Sequence, residues 1–179
     1  MVCPRCISAV EEILKEQQIL YAEVKLGEVN LTNSISTVQK EKLNEAFKSR
    51  GFELLETEKS SLIAQIKAAV IAQIHYSTSP MKENFSSYLA DRLNHEYTSL
   101  SKLFSSVEGI TIEKFITRQK IEKAKELIFY DQVSLAEIAF QLDYSSTAYL
   151  SSQFKKETGM TPSEFKKQSD PKRRSLDSI

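Results

Sequence analysis

Apolar residues recur at helical spacing near the start of the chain and then change to strict alternation. Over residues 7–17, the positions of Val10, Ile13 and Leu14 define one apolar face and predict an amphipathic helix. The stretch ILYAEVKLGEVNL that follows alternates apolar and polar residues on both sides of Gly27. This alternation predicts two short strands joined by a turn at that glycine.

The next segment predicts a second helix and a third strand. Ser36 followed by Gln39 is a capping-box pair, in which each side chain hydrogen-bonds the backbone of the other residue, so we expect a helix to begin there. Gly51 is suited to the left-handed conformation that ends many helices. The stretch FELLET, residues 52–57, then predicts another strand. The predicted order over residues 3–57 is helix, strand, strand, helix, strand.

The remainder of the chain has helical periodicity without a strand pattern. Its longest apolar run, LIAQIKAAVIAQI, is 13 residues long and contains Gln65 and Lys67, so it is too short and too polar to span a bilayer. We therefore expect a soluble cytoplasmic protein with no membrane contact. The predicted domains are residues 1–58 and 60–168, followed by a basic, disordered tail over residues 169–179.

The helical part repeats itself at an offset of about 50 residues. Each copy predicts a short helix, a tight turn, a second helix and a glycine that ends it. The small Ala90 and Ala139 suit the close helix crossing of a helix-turn-helix. Between the copies, a stripe of apolar residues predicts one continuous connecting helix. The pairs at offset 50 are Leu100 with Leu150, Phe104 with Phe154, Gly109 with Gly159, Thr111 with Thr161, and Phe115 with Phe165.

The second copy resembles the AraC-type transcription regulators. The resemblance covers residues 80–168 and implies an all-α domain with two helix-turn-helix units, each of which places a recognition helix in the major groove of DNA. A connecting helix of about 19 residues is about 28 Å long, and successive major-groove faces are ~34 Å apart, so one chain could contact both without a dimer. The residues that carry the resemblance are Ile138, Ala139, Tyr144, Phe154, Lys155, Gly159, Thr161, Pro162 and Phe165.

The resemblance also implies which residues contact DNA. Lys155 and Lys156, near the end of the second recognition helix, are expected to contact phosphates. The predicted base-reading faces contain no Arg, Asn or Gln, the side chains that discriminate bases best, so hydroxyl groups and water would carry much of the readout. The predicted base-reading residues are Thr98, Ser99, Ser101 and Lys102 in the first unit and Ser146, Thr147, Ala148, Ser151 and Ser152 in the second.

The opening MVCPRC and the element order after it resemble the heavy-metal-associated domain. That resemblance implies a ferredoxin-like βαββαβ fold with Met1, Cys3 and Cys6 in its metal-binding loop. The family's first strand precedes this motif, and the given sequence has nothing before Met1, so either the sequence starts late or the domain lacks its first strand. Two thiolates at this spacing can bind Cu(I) or another soft metal, the candidate cofactor. A thiol redox pair and an inactive remnant of a metal domain stay open as alternatives.

Composition narrows the classes of protein that remain. The chain of 179 residues carries 24 basic and 24 acidic residues and has a pI near 6.8, whereas nucleic-acid-binding domains are usually basic. Its two cysteines cannot form a disulfide framework. The sequence has no glycine-rich phosphate loop, nucleophile–histidine–acid pattern or zinc-hydrolase motif, so we do not expect an enzyme.

Together these patterns predict an α+β chain that acts as a sequence-specific DNA-binding transcription regulator of the AraC type and responds to a soft metal. Double-stranded DNA is the expected partner of a monomer, and RNA polymerase is a further candidate. The alternative is a metal-handling or adaptor protein whose helical half binds protein partners. The neutral charge and the serine-rich helices favour that alternative, whereas the family resemblance and the spacing of the two units favour DNA.

Overall fold

Nine α-helices and one two-stranded sheet make up the part of the chain that the structure describes. The helices are α1 (Pro4–Glu16), α2 (Thr37–Ser49), α3 (Glu58–Ile71), α4 (Phe85–Leu93), α5 (Tyr97–Glu108), α6 (Ile112–Tyr130), α7 (Leu135–Gln141), α8 (Thr147–Thr158) and α9 (Pro162–Lys166), and the strands are β1 (Tyr21–Lys25) and β2 (Glu28–Leu31). In this computed structural model the described residues are 1, 3–55, 58–77, 81, 83–131, 133–168 and 176. None of the described helices combines the length and apolar character needed to cross a membrane.

The chain divides into two compact units, an N-terminal unit (Met1–Ala69) and a C-terminal unit (Val70–Ile179). The division falls inside α3, which a π-helical segment, Ala72–Tyr76, continues. The domain boundary expected at the start of this helix stays a prediction. Of the tail expected over residues 169–179, only Leu176 is among the described residues.

The N-terminal unit packs α1 and α2 together and α1 against β1. Pro4 occupies the first turn of α1, where its missing N–H leaves no hydrogen bond unmade. β1 and β2 pair antiparallel around Gly27, whose φ of +82° favours glycine. The predicted capping box of α2 is confirmed, since the Gln39 N–H donates to Ser36 Oγ at 3.2 Å and the Ser36 N–H donates to Gln39 Oε1 at 2.9 Å. One core cluster of this unit consists of Val10, Ile13, Leu14, Ile19, Leu43 and Phe47.

The predicted third strand over residues 52–57 is wrong for its described part. Residues 52–55 have no regular secondary structure, and residues 56–57 lie outside the described residues. A strand needs a hydrogen-bonded neighbour, and in the described chain β1 and β2 pair only with each other. Packing explains the alternation, because Phe52 and Leu54 are half-buried against the core of α1 and α2 while the residue after each is exposed. The chain is therefore mostly helical with a small two-stranded sheet, and the ferredoxin-like fold is not confirmed.

The C-terminal unit builds two helix-turn-helix motifs around α6. This central helix packs against α5, α7, α8, α9 and the π-helical segment. The sequence repeat places equivalent aromatic side chains in the core of each motif. The Phe104 and Phe115 ring centroids lie 5.6 Å apart, and their counterparts at offset 50, Phe154 and Phe165, lie 5.4 Å apart. All four rings are buried, so each motif has the same aromatic contact between its second helix and the helix that follows.

Helix α6 also buries polar side chains that the apolar stripe did not predict. The Gln119 side chain is fully buried, and its Oε1 lies 3.0 Å from His75 Nε2 while its Nε2 donates to the Leu176 carbonyl at 3.2 Å. Lys125 Nζ donates to Glu122 Oε1 at 2.5 Å, and both side chains are buried. Such groups are tolerated inside a protein only when each has a partner.

Candidate nucleic-acid interface

The first helix-turn-helix consists of α4, a three-residue turn over residues 94–96, and α5. Asn84 caps α4, because its Oδ1 accepts a hydrogen bond from the Ser87 N–H at 2.9 Å. Asn94 ends the helix with a left-handed φ of 53°, a conformation that asparagine adopts more readily than most residues. Phe104 is fully buried on the inner side of α5. This burial fixes the rotation of α5 and leaves its opposite face outward.

The second helix-turn-helix consists of α7, a five-residue turn over residues 142–146, and α8. Ser134 and Glu137 form a capping box at the start of α7, with the Glu137 N–H donating to Ser134 Oγ at 3.2 Å and the Ser134 N–H donating to Glu137 Oε2 at 2.7 Å. Asp143 takes a left-handed φ of 55° in this turn. Leu150 and Phe154 are again fully buried, so α8 presents the same outward face as α5.

Side-chain hydrogen bonds and ion pairs connect both recognition helices to the first turns of α6. The Tyr97 hydroxyl on α5 donates a hydrogen bond to Glu113 Oε1 at 2.5 Å. Glu157, near the end of α8, forms ion pairs with Lys114 and with Arg118, the second at 3.7 Å. Because α6 is one helix of 19 residues, about 28 Å at 1.5 Å per residue, it holds the two motifs at a defined spacing.

The contact between Tyr97 and Glu113 also fixes their ionisation. Burial, aided by the hydrogen bond to Glu113, raises the pKa of Tyr97 well above its ordinary value of 10. The Tyr97 hydroxyl in turn lowers the pKa of Glu113 below its ordinary value of 4.5. The hydroxyl therefore remains a donor and the carboxylate a charged acceptor throughout the neutral range.

The predicted base-reading residues lie together on the outward faces of α5 and α8. Ser101 and Ser151 are half-buried because each directly follows a buried leucine. Ser146 caps α8, and its Oγ accepts a hydrogen bond from the Tyr149 N–H at 3.1 Å, which leaves its hydroxyl hydrogen to face outward. The exposed members of the set are Thr98, Ser99, Lys102, Ser146, Thr147, Ala148 and Ser152. The contact of these side chains with DNA stays a prediction.

The structure adds Tyr149, which sequence reasoning missed, to this outward face. Its side chain is 50% exposed in the first turn of α8, and its ring centroid lies 5.8 Å from that of Tyr144. Tyr149 is the counterpart of Ser99 at offset 50. Applying the repeat position by position would therefore have found it. Burial raises the pKa of the neighbouring Tyr144 to about 12.

The predicted phosphate contacts lie at the far end of the same helix. Lys155 and Lys156 are exposed in the last turn of α8. Two cations in this position also interact favourably with the negative end of the helix dipole. Both side chains are therefore accessible to a phosphate, and their contact with DNA stays a prediction.

Comparison with known proteins places these two motifs in a family. A family model described as a helix-turn-helix domain matches residues 89–168, from within α4 to just beyond α9. The solved C-terminal domain of AraT, a response regulator from Geobacillus stearothermophilus, has a TM-score of 0.51 and 25% identity to this chain, over 66% of this chain and 92% of that domain. Residues 89–168 are therefore similar to the AraC-type helix-turn-helix domain.

Two curated regulatory proteins are also similar to part of this chain. Regulatory protein PocR of Salmonella typhimurium is 34% identical over 83 residues, which make up 45% of this chain and 27% of PocR. The Xylose operon regulatory protein of Haemophilus influenzae is 37% identical over 76 residues, which make up 42% of this chain and 20% of that protein. This chain therefore matches about a quarter or less of the length of these relatives. The range of the family model, residues 89–168, includes every predicted DNA-contacting residue of this chain.

The cysteine pair lies outside the AraC-type domain. Cys3 precedes α1 as its N-cap residue, Cys6 lies in the first turn, and neither is in a disulfide. Their sulfur atoms are 3.3 Å apart, and both side chains are half-buried. Among the described residues, no group of three or more His, Cys, Asp or Glu side chains is placed to hold a metal ion. Within the part of the chain that the structure describes, a metal at Cys3 and Cys6 would therefore have two protein ligands.

Proposed function

We propose that this chain is a sequence-specific DNA-binding transcription regulator of the AraC type that binds duplex DNA as a monomer. The observation that supports this most directly is the pair of helix-turn-helix motifs tied to one helix of 19 residues. Two recognition helices at a defined spacing can enter successive major grooves without a second chain. We place the DNA-binding domain at residues 60–168 and a separate domain at residues 1–58.

The chemistry of the outward faces predicts modest discrimination between bases. Lys102 is the one cation among the predicted base-reading residues, and most of the others are serine or threonine. Hydroxyl groups form single hydrogen bonds, often through water, and lack the bidentate geometry of Arg, Asn or Gln. With few lysines near phosphates, the affinity should fall with salt as expected for about three to six phosphate contacts.

Selection of bound fragments from random duplex DNA at low salt tests the proposed function. We expect enrichment of a bipartite site that covers about two helical turns. Lys102→Ala should change the ranking of the enriched fragments, because this side chain would read bases. Lys42→Ala, an exposed position on α2 outside the AraC-type domain, is the control and should change nothing. Binding without any preferred fragment would contradict the proposal and favour the adaptor interpretation.

The phosphate contacts require a separate measurement. The double change Lys155→Ala and Lys156→Ala should weaken binding to all sequences alike and reduce the salt slope by about two. A mobility-shift titration at several salt concentrations gives both quantities. An unchanged slope would show that the end of α8 does not contact the DNA backbone.

The closeness of the two cysteine sulfurs on the surface of the N-terminal unit supports a second function, binding of a soft metal by Cys3 and Cys6 after a change in side-chain rotamer. At a metal–sulfur distance of about 2.3 Å, as for zinc thiolates, sulfurs 3.3 Å apart would enclose an angle of about 90°. The thiols would therefore have to rotate apart to reach the wider angles of two-coordinate Cu(I). We expect weak Cu(I) binding that is lost in Cys3→Ser/Cys6→Ser. Competition with a Cu(I) chelator measures this, and equal binding by both proteins would rule out these cysteines.

A further inference from the structure

A cavity of about 520 Å³ lies within the C-terminal unit, where the two helix-turn-helix motifs approach each other along α6. Its walls come from the π-helical segment after α3, the start of α4, the middle of α6 and the end of α7. Pockets of 300–1,000 Å³ are the size that small organic ligands occupy. The cavity therefore has room for a molecule of one or two rings, in contact with both motifs.

The walls of this cavity combine apolar and aromatic side chains with polar and charged ones. Phe85 lies at the start of α4, Leu127 on α6, and Phe140 and Leu142 at the end of α7. Phe140 is 86% exposed although it borders a concave apolar surface. Packing of a ligand ring against such exposed aromatic side chains is favourable, because water is released from both apolar surfaces.

One cation in this cavity has no ion-pair partner among the residues that the structure describes. Lys120 Nζ lies 5.9 Å from the Phe85 ring centroid and 5.5 Å from the Tyr144 ring centroid. The carboxylate of Asp143, which also lines the cavity, attracts Lys120 without forming an ion pair with it. Burial nevertheless lowers the pKa of Lys120, because a charged ammonium loses hydration when it is buried. By contrast, Lys123 on the same wall donates to Glu126 Oε1 at 2.9 Å.

We propose that this cavity binds a small aromatic carboxylate, with its ring against Phe85 and Phe140 and its carboxylate at Lys120 Nζ. An ammonium in an apolar wall is stabilised by a single negative charge, and the aromatic walls select a flat apolar body. The charge and the shape of the site together therefore specify an amphipathic monoanion. A neutral compound would leave the ammonium without a partner, and a dianion would bring a second charge into apolar surroundings.

The ligand would contact the first motif at Phe85 and the second at Phe140, so it would favour one relative placement of the two recognition helices. This consequence for DNA rests on the proposed function, whereas ligand binding itself does not. A ligand changes an equilibrium only to the extent that it prefers one state. We therefore expect a change in DNA affinity when the site is filled.

Calorimetric titration of the full chain with 2-naphthoate and with the neutral 2-naphthylmethanol tests the site. Wild type should bind the carboxylate about tenfold or more tightly than the alcohol, the size expected for a hydrogen bond to a charged group. Lys120→Gln should abolish this preference while it leaves binding of the alcohol unchanged. Lys123→Gln is the matched control, and it should keep the preference because Lys123 is paired with Glu126. Thermal unfolding of each variant checks that the fold is retained.

Three outcomes would overturn the proposal. Equal binding of the carboxylate and the alcohol by wild type would show that Lys120 does not act as the anion site, and absence of binding at millimolar concentration would remove the site altogether. A third outcome is that naphthoate fails to bind while Lys120→Gln weakens DNA binding and lowers the salt slope by about one. The anion at Lys120 would then be a DNA phosphate. Ligand binding without any effect on DNA would leave the site in place and would contradict only its coupling to the proposed function.

Discussion

At the residue scale, burial decides what each aromatic side chain contributes to stability. Phe104 is fully buried against Phe115, whereas Phe140 is 86% exposed. We expect Phe104→Ala to lower the free energy of unfolding by about 3–5 kcal/mol, because it removes apolar contacts and leaves a cavity. Phe140→Ala removes the same side chain from an exposed position and serves as the control. It should change the free energy of unfolding by less than about 0.5 kcal/mol. Urea unfolding measures both, and similar effects of the two changes would contradict the burial argument.

Tyr149 is one of the outward-facing positions at which the two recognition helices differ. Its counterpart at offset 50 is Ser99, so Tyr149→Ser makes the second motif resemble the first at this position. Because the side chain is half exposed on the outward face, we expect a changed ranking of selected DNA fragments. The free energy of unfolding should change by less than about 1 kcal/mol. An unchanged ranking, measured by the same selection, would remove Tyr149 from the interface.

Single residues can be predicted where the signal is local. The cap at Ser36 depends on Gln39, only three positions away, so a short stretch of sequence is enough to predict it. Gln119 was not predicted, because its partners are His75 and Leu176, 44 and 57 residues away in the chain. A polar residue within an apolar stripe carries no signal that identifies a distant partner.

At the scale of elements, Tyr97 and Glu113 hold the start of α5 to the start of α6. The pKa of Glu113 is lowered by the Tyr97 hydroxyl, so this pair stabilises the fold above the ordinary carboxyl pKa and the stabilisation is lost as pH falls through the lowered value. We expect Tyr97→Phe to reduce the free energy of unfolding by about 0.5–1 kcal/mol at pH 7, a value reduced by solvent screening. The difference from wild type should shrink by pH 3.

Urea unfolding of wild type and Tyr97→Phe at both pH values measures that difference. Ser105→Ala, a half-buried position on α5 away from Glu113, is a control whose effect should not depend on pH. A Tyr97→Phe effect of the same size at pH 3 would show that packing of the ring, rather than the hydrogen bond, holds α5.

Helices were predicted more reliably than strands for a physical reason. A helix satisfies its backbone within one segment, so the 19 residues of α6 could be predicted from periodicity and caps alone. A strand depends on a neighbour, and residues 52–55 have the alternation without strand pairing. The π-helical segment Ala72–Tyr76 had no distinguishing pattern, because its residues continue the helical periodicity of α3.

At the scale of the whole molecule, the length of the connecting helix α6 allows a prediction of the spacing between the two DNA half-sites. Because α6 fixes the two motifs on one chain, five or ten base pairs inserted between the half-sites should both reduce affinity to that of a single half-site. Ten base pairs restore the helical phase but move the second groove by a further ~34 Å. A mobility-shift titration on the three spacings measures this. Recovery at ten base pairs would indicate two chains or a flexible connection.

On the proposed function, the two ion pairs of Glu157 have a consequence for how the DNA sites of this protein evolve. They link the end of α8 to the first turns of α6, where the Tyr97 hydroxyl links α5 to Glu113, so we expect a displacement of one recognition helix to affect the other. A base change in one half of an operator would then alter the tolerance for changes in the other half. Across promoters, the two halves should drift as correlated pairs, and their mutational effects on affinity should not be additive.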